Sequence, residues 1–260
     1  MKRARYLELV ALCLSDGGIG FSSDTMYIHF TNSSDVLLRL FTQEIRKFSS
    51  AKIHKQRKPR GTTLRVFDKE LVRTLLTISP SYRTRPCNHF PICPVYRNPN
   101  YEGIGSHHHF SHHSAVFAEV AIPEDLFPSN DDKARFLRIY SSCDGYPSIF
   151  PRKHSWSVVE RIVAIVCHHP LLKQRLQELL DDVGIPYKSR QYSLVMRSRD
   201  AIMEFKEKVG FVEGVVMTGN SRYWKSYQKN KVLEIILKSY DLKFRTRNPS
   251  EIVSLLKSTQ

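Results

Sequence analysis

The chain has 260 residues, enough for one large domain or two small ones with an ample core. Its 40 Lys and Arg against 25 Asp and Glu give a net charge of +15, which implies a polyanionic partner, nucleic acid before any other. With no long apolar run, signal peptide or polybasic anchor, no membrane partner is expected, and five cysteines without a disulfide framework read as reduced thiols of a cytoplasmic protein.

Residues from about Ala4 to Ser15 form an apolar helix that ends Leu9-Val10-Ala11-Leu12-Cys13-Leu14-Ser15-Asp16-Gly17. A glycine after the last helical residue accepts a positive φ and closes the helix. Asp16 then sits beside free carbonyl oxygens at a helix C-terminus. That is a poor place for an anion but a good oxygen site for a hard cation such as Mg²⁺. Gly18-Ile19-Gly20-Phe21 and Met26 to Phe30 predict a hairpin. Asn32-Ser33-Ser34-Asp35 is helix-start chemistry, followed by Val36, Leu37, Leu40, Phe41, Ile45 and Phe48 at helical spacing. A second hairpin runs from Lys52 to Phe67 through the turn Lys58-Pro59-Arg60-Gly61. Asp68 opens a short helix with Leu71, Val72, Leu75 and Leu76.

Ser79 to Asn130 is a connector rich in Pro, Tyr, His and Asn, long for a compact protein. Cys87, His89 and Cys93, with His107, His108, His109, His112 and His113, supply soft ligands. Their spacing fits no zinc pattern, so an exposed metal-free loop is expected; a zinc clip and a Cys87–Cys93 disulfide are the alternatives.

The second half repeats the order of the first. A helix from Asp131-Asp132 carries Phe136 and Ile139 and ends Leu137-Arg138-Ile139-Tyr140-Ser141-Ser142-Cys143-Asp144-Gly145. Strands follow at Ser148 to Phe150 and Trp156 to Cys167, then a helix ending at Gly184. A strand pair, Tyr187 to Arg190 and Gln191 to Arg197, precedes a helix opened by Asp200. This is a repeat of architecture with weak residue identity. The basic-aromatic run from Arg222 to Lys231 either clamps phosphates or packs Tyr223 and Trp224 on the core. The division is 1–78, 79–130, 131–215 and 216–260.

The two Asp-Gly helices, each starting an αββαββ unit, resemble the monomeric LAGLIDADG homing endonucleases, especially the archaeal kind. Arg135-Phe136-Leu137-Arg138 and Ala51-Lys52-Ile53-His54 through Leu64-Arg65-Val66-Phe67 are similar to family segments too. The resemblance implies an α+β fold of two pseudo-symmetric αββαββα units, packed through parallel motif helices. Two antiparallel sheets would then form a saddle over double-stranded DNA. It implies metal sites at Asp16 and Asp144, with Ser15 and Cys143 beside them, each over one scissile phosphate. Such enzymes place a Lys or Gln where the strand after each motif ends. The matching positions are Thr31 and Asn32, and Cys167 and His168, none of them Lys. Asn32 and His168 are left to hold or polarise a water.

The residues carry part of this independently. Ala11 and Ser15, four apart, share a helix face and permit close approach. Lys52, Lys55, Arg57, Lys58, Arg60 and Arg65 lie on the second hairpin with no acid among them. Arg152 and Lys153 sit at the third turn, and Lys188, Arg190, Arg197 and Arg199 around the fourth. Strand residues would reach base edges and turns the phosphates. The expected function is a freestanding, monomeric, site-specific DNA endonuclease using Mg²⁺, Mn²⁺ or Ca²⁺ on a long asymmetric site. The alternative is a non-cleaving relative that binds DNA, or intron RNA as a splicing helper.

Overall fold

A helix apolar on all sides belongs inside a protein. In a computed structural model describing residues 3–22, 25–59, 61–85, 107–110, 115–151, 159–218, 221, 223–244, 246 and 248–258, α1 (Leu7–Leu14) buries every side chain except Glu8. β1 (Gly17–Ser22) and β2 (Thr25–Asn32) follow directly. Then come α2 (Asp35–Arg46), β3 (Ile53–Lys58), β4 (Gly61–Val66) and α3 (Lys69–Ile78). Ser34 caps α2 by accepting from Leu37 N, and Asp68 caps α3 by accepting from Leu71 N. The connector supplies a short hairpin, β5 (His107–Phe110) with β6 (Ala115–Ala118).

The second unit has the same order: α4 (Asn130–Asp144), β7 (Gly145–Pro151), β8 (Val159–Val166), α5 (Pro170–Val183), β9 (Lys188–Arg190), β10 (Ser193–Met196) and α6 (Arg199–Glu204). Both four-stranded sheets are antiparallel and share one topology, β1-β2-β4-β3 and β7-β8-β10-β9. Register makes the units superposable position by position. Gly17 pairs with Phe30, and Gly145 with Ile165. Phe30 pairs with Leu64, and Ile165 with Leu194.

The motif helices α1 and α4 pack together and run the same way. Near their starts Arg135 lies 3.9 Å from Glu8; at their ends Ser15 meets the Cys143 thiol. The fold is the expected α+β pair of pseudo-symmetric units.

Two expectations change. Gly17 and Gly145 do not close their helices with a positive φ; Gly145 is extended, at φ −114°. They are required because the strand leaves against the helix itself. A Cβ on Gly17 would stand 2.8 Å from Leu12 O, and one on Gly145 2.6 Å from Ser141 O. Second, part of the connector is core. Phe117, Ala118, Val120, Ile122, Leu126 and Phe127 are buried, and His169, which caps α5, bonds Ala118 O through Nε2 at 2.7 Å. Cys87, Cys93, His89, His112 and His113 of that segment lie outside the described residues, so the zinc clip and the disulfide do too. Of the two readings of the basic-aromatic run, the packing of Tyr223 and Trp224 on the core is the one observed. α7 (Lys229–Lys238) and α8 (Pro249–Lys257) pack on β7, and buried Trp224 donates from Nε1 to Ile149 O at 2.7 Å. Among the described residues no helix is long and apolar enough to cross a membrane.

Candidate active site

Because α1 and α4 are parallel, the acids at their C-terminal ends arrive together. Asp16 and Asp144 are both half-buried and feel each other's charge. They line a shared cavity of about 340 Å³ with Ser15, Thr84, Arg85, Cys167 and His168. Burial, then the neighbouring Asp16, pushes the Asp144 carboxyl up to about 7. Burial pushes Asp16 up too, against the opposing effect of a hydrogen bond from Asn32.

That bond is the first asymmetry. Asn32 Nδ2 donates to Asp16 Oδ2 at 2.6 Å, and Asn32 Oδ1 accepts from Ser34 N at 2.7 Å, which fixes the amide's orientation. Asn32 therefore braces the acid while Ser34 caps the helix. The counterpart of Asn32 by register is Cys167, one residue before the expected His168. Cys167 is buried and its thiol points at His169 O, 3.4 Å away. Among the described residues no side chain hydrogen-bonds the Asp144 carboxylate. His168 is exposed, its ring 4.8 Å from that of Tyr192, yet it lines the shared cavity.

Two cations complete the centre, and sequence reasoning missed both. Lys229 opens α7 and is 6% exposed. Its Nζ donates to Ser142 O at 2.7 Å and Gly145 O at 2.6 Å, carbonyls left free at the end of α4. Two of its three donors are spent there. It borders a cavity of about 740 Å³ with Asp144, and one of about 210 Å³ with Asp16 and Asn32. Burial lowers its amine to about 8 despite both acids. Nothing in the local sequence separates Lys229 from Lys231, which pairs with Glu234 on the surface. Arg85, exposed at the end of a described stretch of connector, favours the charged form of both acids; a connector position gave no sign of it.

The other metal-site candidates contribute less. Ser15 Oγ turns back to Ala11 O at 2.9 Å and Leu12 O at 3.1 Å. Burial pushes the Cys143 thiol well above its usual range, and Ser15 lies within hydrogen-bond reach of it. Among the described residues no group of three His, Cys, Asp or Glu is placed to hold a metal ion; the centre offers two carboxylates.

From the acids a surface extends over the open face of each sheet. Beside Asp16 a cavity of about 540 Å³ includes His29, Thr31 and Arg83. Strand alternation sorts the basic candidates. Arg65 pairs with His29 and His54 on the open face, and Lys58 follows His54 at even spacing. Lys55 falls on the helix side, in a groove with Arg39 and Arg46 of α2, and Arg57 shares its parity. Lys52, before β3, is exposed. In the second sheet Lys188 and Arg190 lie on the open face opposite Val195 and Ser193. Arg197 is tied to Glu160 at 3.0 Å. Arg199 is held bidentately by Asp241, at 3.0 and 3.1 Å, which removes both from the free set. Arg60, Arg152 and Lys153 lie outside the described residues.

No protein-family model matches the sequence, and no curated protein does. Solved structures do. The LAGLIDADG meganuclease I-AabMI bound to uncleaved DNA superposes with a TM-score of 0.56 at 13% identity, over 97% of both chains. The meganuclease I-SmaMI, bound to uncleavable DNA with a TTGT central four, gives 0.52 at 12% identity, over 98% of this chain and 96% of that one. I-DmoI in complex with DNA and Mn gives 0.49 at 13% identity, over 81% and 98%. The protein has the LAGLIDADG meganuclease fold.

Proposed function

We propose that this chain is a metal-dependent, site-specific double-strand DNA endonuclease of the LAGLIDADG homing type, working as a monomer with an internal pseudo-dimer. The observation that carries the reading is the meeting of Asp16 and Asp144 at the ends of parallel helices, between two sheets with basic open faces.

The donor set fits a hard cation. Two desolvated carboxylates beside each other are driven toward protonation, and a divalent ion relieves that strain better than a proton does at neutral pH. Asp16 and Asp144 would hold it, Asp16 oriented by Asn32. Bound there, Mg²⁺ or Mn²⁺ supplies charge neutralisation at a phosphodiester and a more acidic water. The protein's own groups do the rest. Lys229, with two of its three donors spent on carbonyls, borders the cavity it shares with Asp144, where it can bind a phosphate oxygen or hand a proton from Nζ to the leaving oxygen. Arg85 faces both acids and adds charge where negative charge develops. His168 and Asn32 border the water-accessible side of each acid.

A second reading, a DNA- or RNA-binding relative without cleavage, is favoured by the unbraced Asp144 beside Cys167. One experiment separates them. The purified protein is incubated with a random duplex library in Mg²⁺ or Mn²⁺ and new ends are sequenced, with Asp16→Asn and Asp144→Asn in parallel. Reproducible metal-dependent ends that vanish in both variants establish the nuclease. Tight, salt-sensitive binding without ends supports the second reading.

A further inference from the structure

The open face of the first sheet carries a pair of aromatic rings away from the Asp16–Asp144 centre. Tyr27 lies on β2 and Phe67 directly follows β4, the two central strands. Their rings are 5.4 Å apart and tilted by 46°. His54 meets Phe67 edge-on at 5.4 Å, and the Arg65 guanidinium stands 5.5 Å over the Tyr27 ring. On the neighbouring strand Gly20 leaves room for the Tyr27 ring: a Cβ there would fall 2.3 Å from Tyr27 Cζ. Phe67 is 43% exposed although nothing in its own strand requires it to be apolar.

Paired, stacked bases offer a protein their edges, whereas unpaired bases offer their faces. An exposed Phe67 beside a half-buried Tyr27, flanked by Arg65, suits a face rather than an edge. The charge matches: β2, β3 and β4 contain no acidic residue. The feature also belongs to this unit alone. By register the counterparts of Tyr27 and Phe67 in the second sheet are Ile162 and Arg197, so the pseudo-symmetric fold does not demand it.

We infer that Tyr27 and Phe67 form a stacking platform for an unpaired base, giving the protein a single-stranded nucleic-acid binding activity separate from the Asp16–Asp144 centre. The shared chemistry is a flat base on a backbone phosphate chain, and both RNA and DNA provide it.

The test uses the full chain in EDTA, with 12-mer single-stranded RNA and DNA carrying one 2-aminopurine, and a duplex of the same length. Binding by anisotropy with quenching of the 2-aminopurine is expected for at least one single strand. Phe67→Ala should remove the quenching and weaken that binding by about tenfold, a larger loss than on duplex. Phe67→Tyr should restore both. Tyr27→Ala is read the same way after its melting curve is compared with wild type. The stronger arm, RNA or DNA, identifies the source. Absence of single-strand binding, quenching that survives Phe67→Ala, or an equal loss on duplex would overturn the inference; the last would make the rings contacts for duplex bases. Asp16→Asn should leave the quenching intact, so failure here and failure of the nuclease reading are distinguishable.

Discussion

Asn32 reaches Asp16 with a 2.6 Å hydrogen bond, while its register counterpart beside Asp144 is the buried Cys167, which has no such bond to give. The two halves of the centre are therefore differently prepared. Partners that orient ligating carboxylates typically change activity by about 10–100-fold when removed. Asn32→Ala should slow cleavage by roughly that factor and make nicked product accumulate. Supercoiled plasmid carrying the selected site, followed to nicked and linear forms, reads both effects. Equal slowing of both strands would mean that each acid does not serve its own strand.

Lys229→Met removes the donor from Ser142 O and Gly145 O and the buried cation from between the acids. Unpaired buried carbonyls cost about 1–3 kcal/mol, so thermal unfolding should shift down by that amount while the far-ultraviolet spectrum is kept. Cleavage should be lost even in the folded protein. A fully active variant would remove Lys229 from the mechanism.

Glu44 gives a pH dependence far from the centre. It is 2% exposed, lies 2.6 Å from Lys47, and pairs with the Glu8 carboxyl. Burial, aided by the nearby Glu8, pushes its carboxyl up to about 7. A folded-state pKa above the unfolded one means stability that is complete below about 4.5 and lost as pH rises through about 7. Against Glu44→Gln, wild type should lose on the order of 2 kcal/mol between acid and mildly basic pH. Melting temperatures of both proteins at several pH values check it; parallel curves would contradict it.

Affinity for duplex DNA should fall steeply with salt, because counterions are released for each phosphate neutralised. Lys58→Ala or Lys188→Ala, on the open faces, should each lower the slope of log affinity against log salt by about one. Arg199→Ala should leave the slope unchanged, since Asp241 already neutralises that guanidinium. Equal slopes for all three would place the DNA elsewhere.

Much of this architecture was legible because it rests on local chemistry. Asp-Gly after an apolar run marked both motif helices, and Asp68 and Gly184 punctuated α3 and α5 as read. The alternation of Val116, Ala118, Val120 and Ile122 carried strand periodicity inside the connector, but the surrounding Pro and His composition hid it. The centre was legible only where its residues sit on the motif. Lys229 comes from 85 residues beyond Asp144, and only tertiary packing shows which of several lysines turns inward. The basic face was half-read for a simpler reason: alternation divides Lys55 from Lys58, and ion pairs remove Arg197 and Arg199.

The place of Lys229 in the chain also sets an order of events during synthesis. Both acids emerge from the ribosome, and both sheets have been made, before the lysine that plugs the end of α4 exists. A product ending anywhere between the second sheet and α7 would carry every motif residue and still lack the buried amine. On the proposed reading, the centre stays without its buried cation until α7 has been made, well after both acids and both sheets.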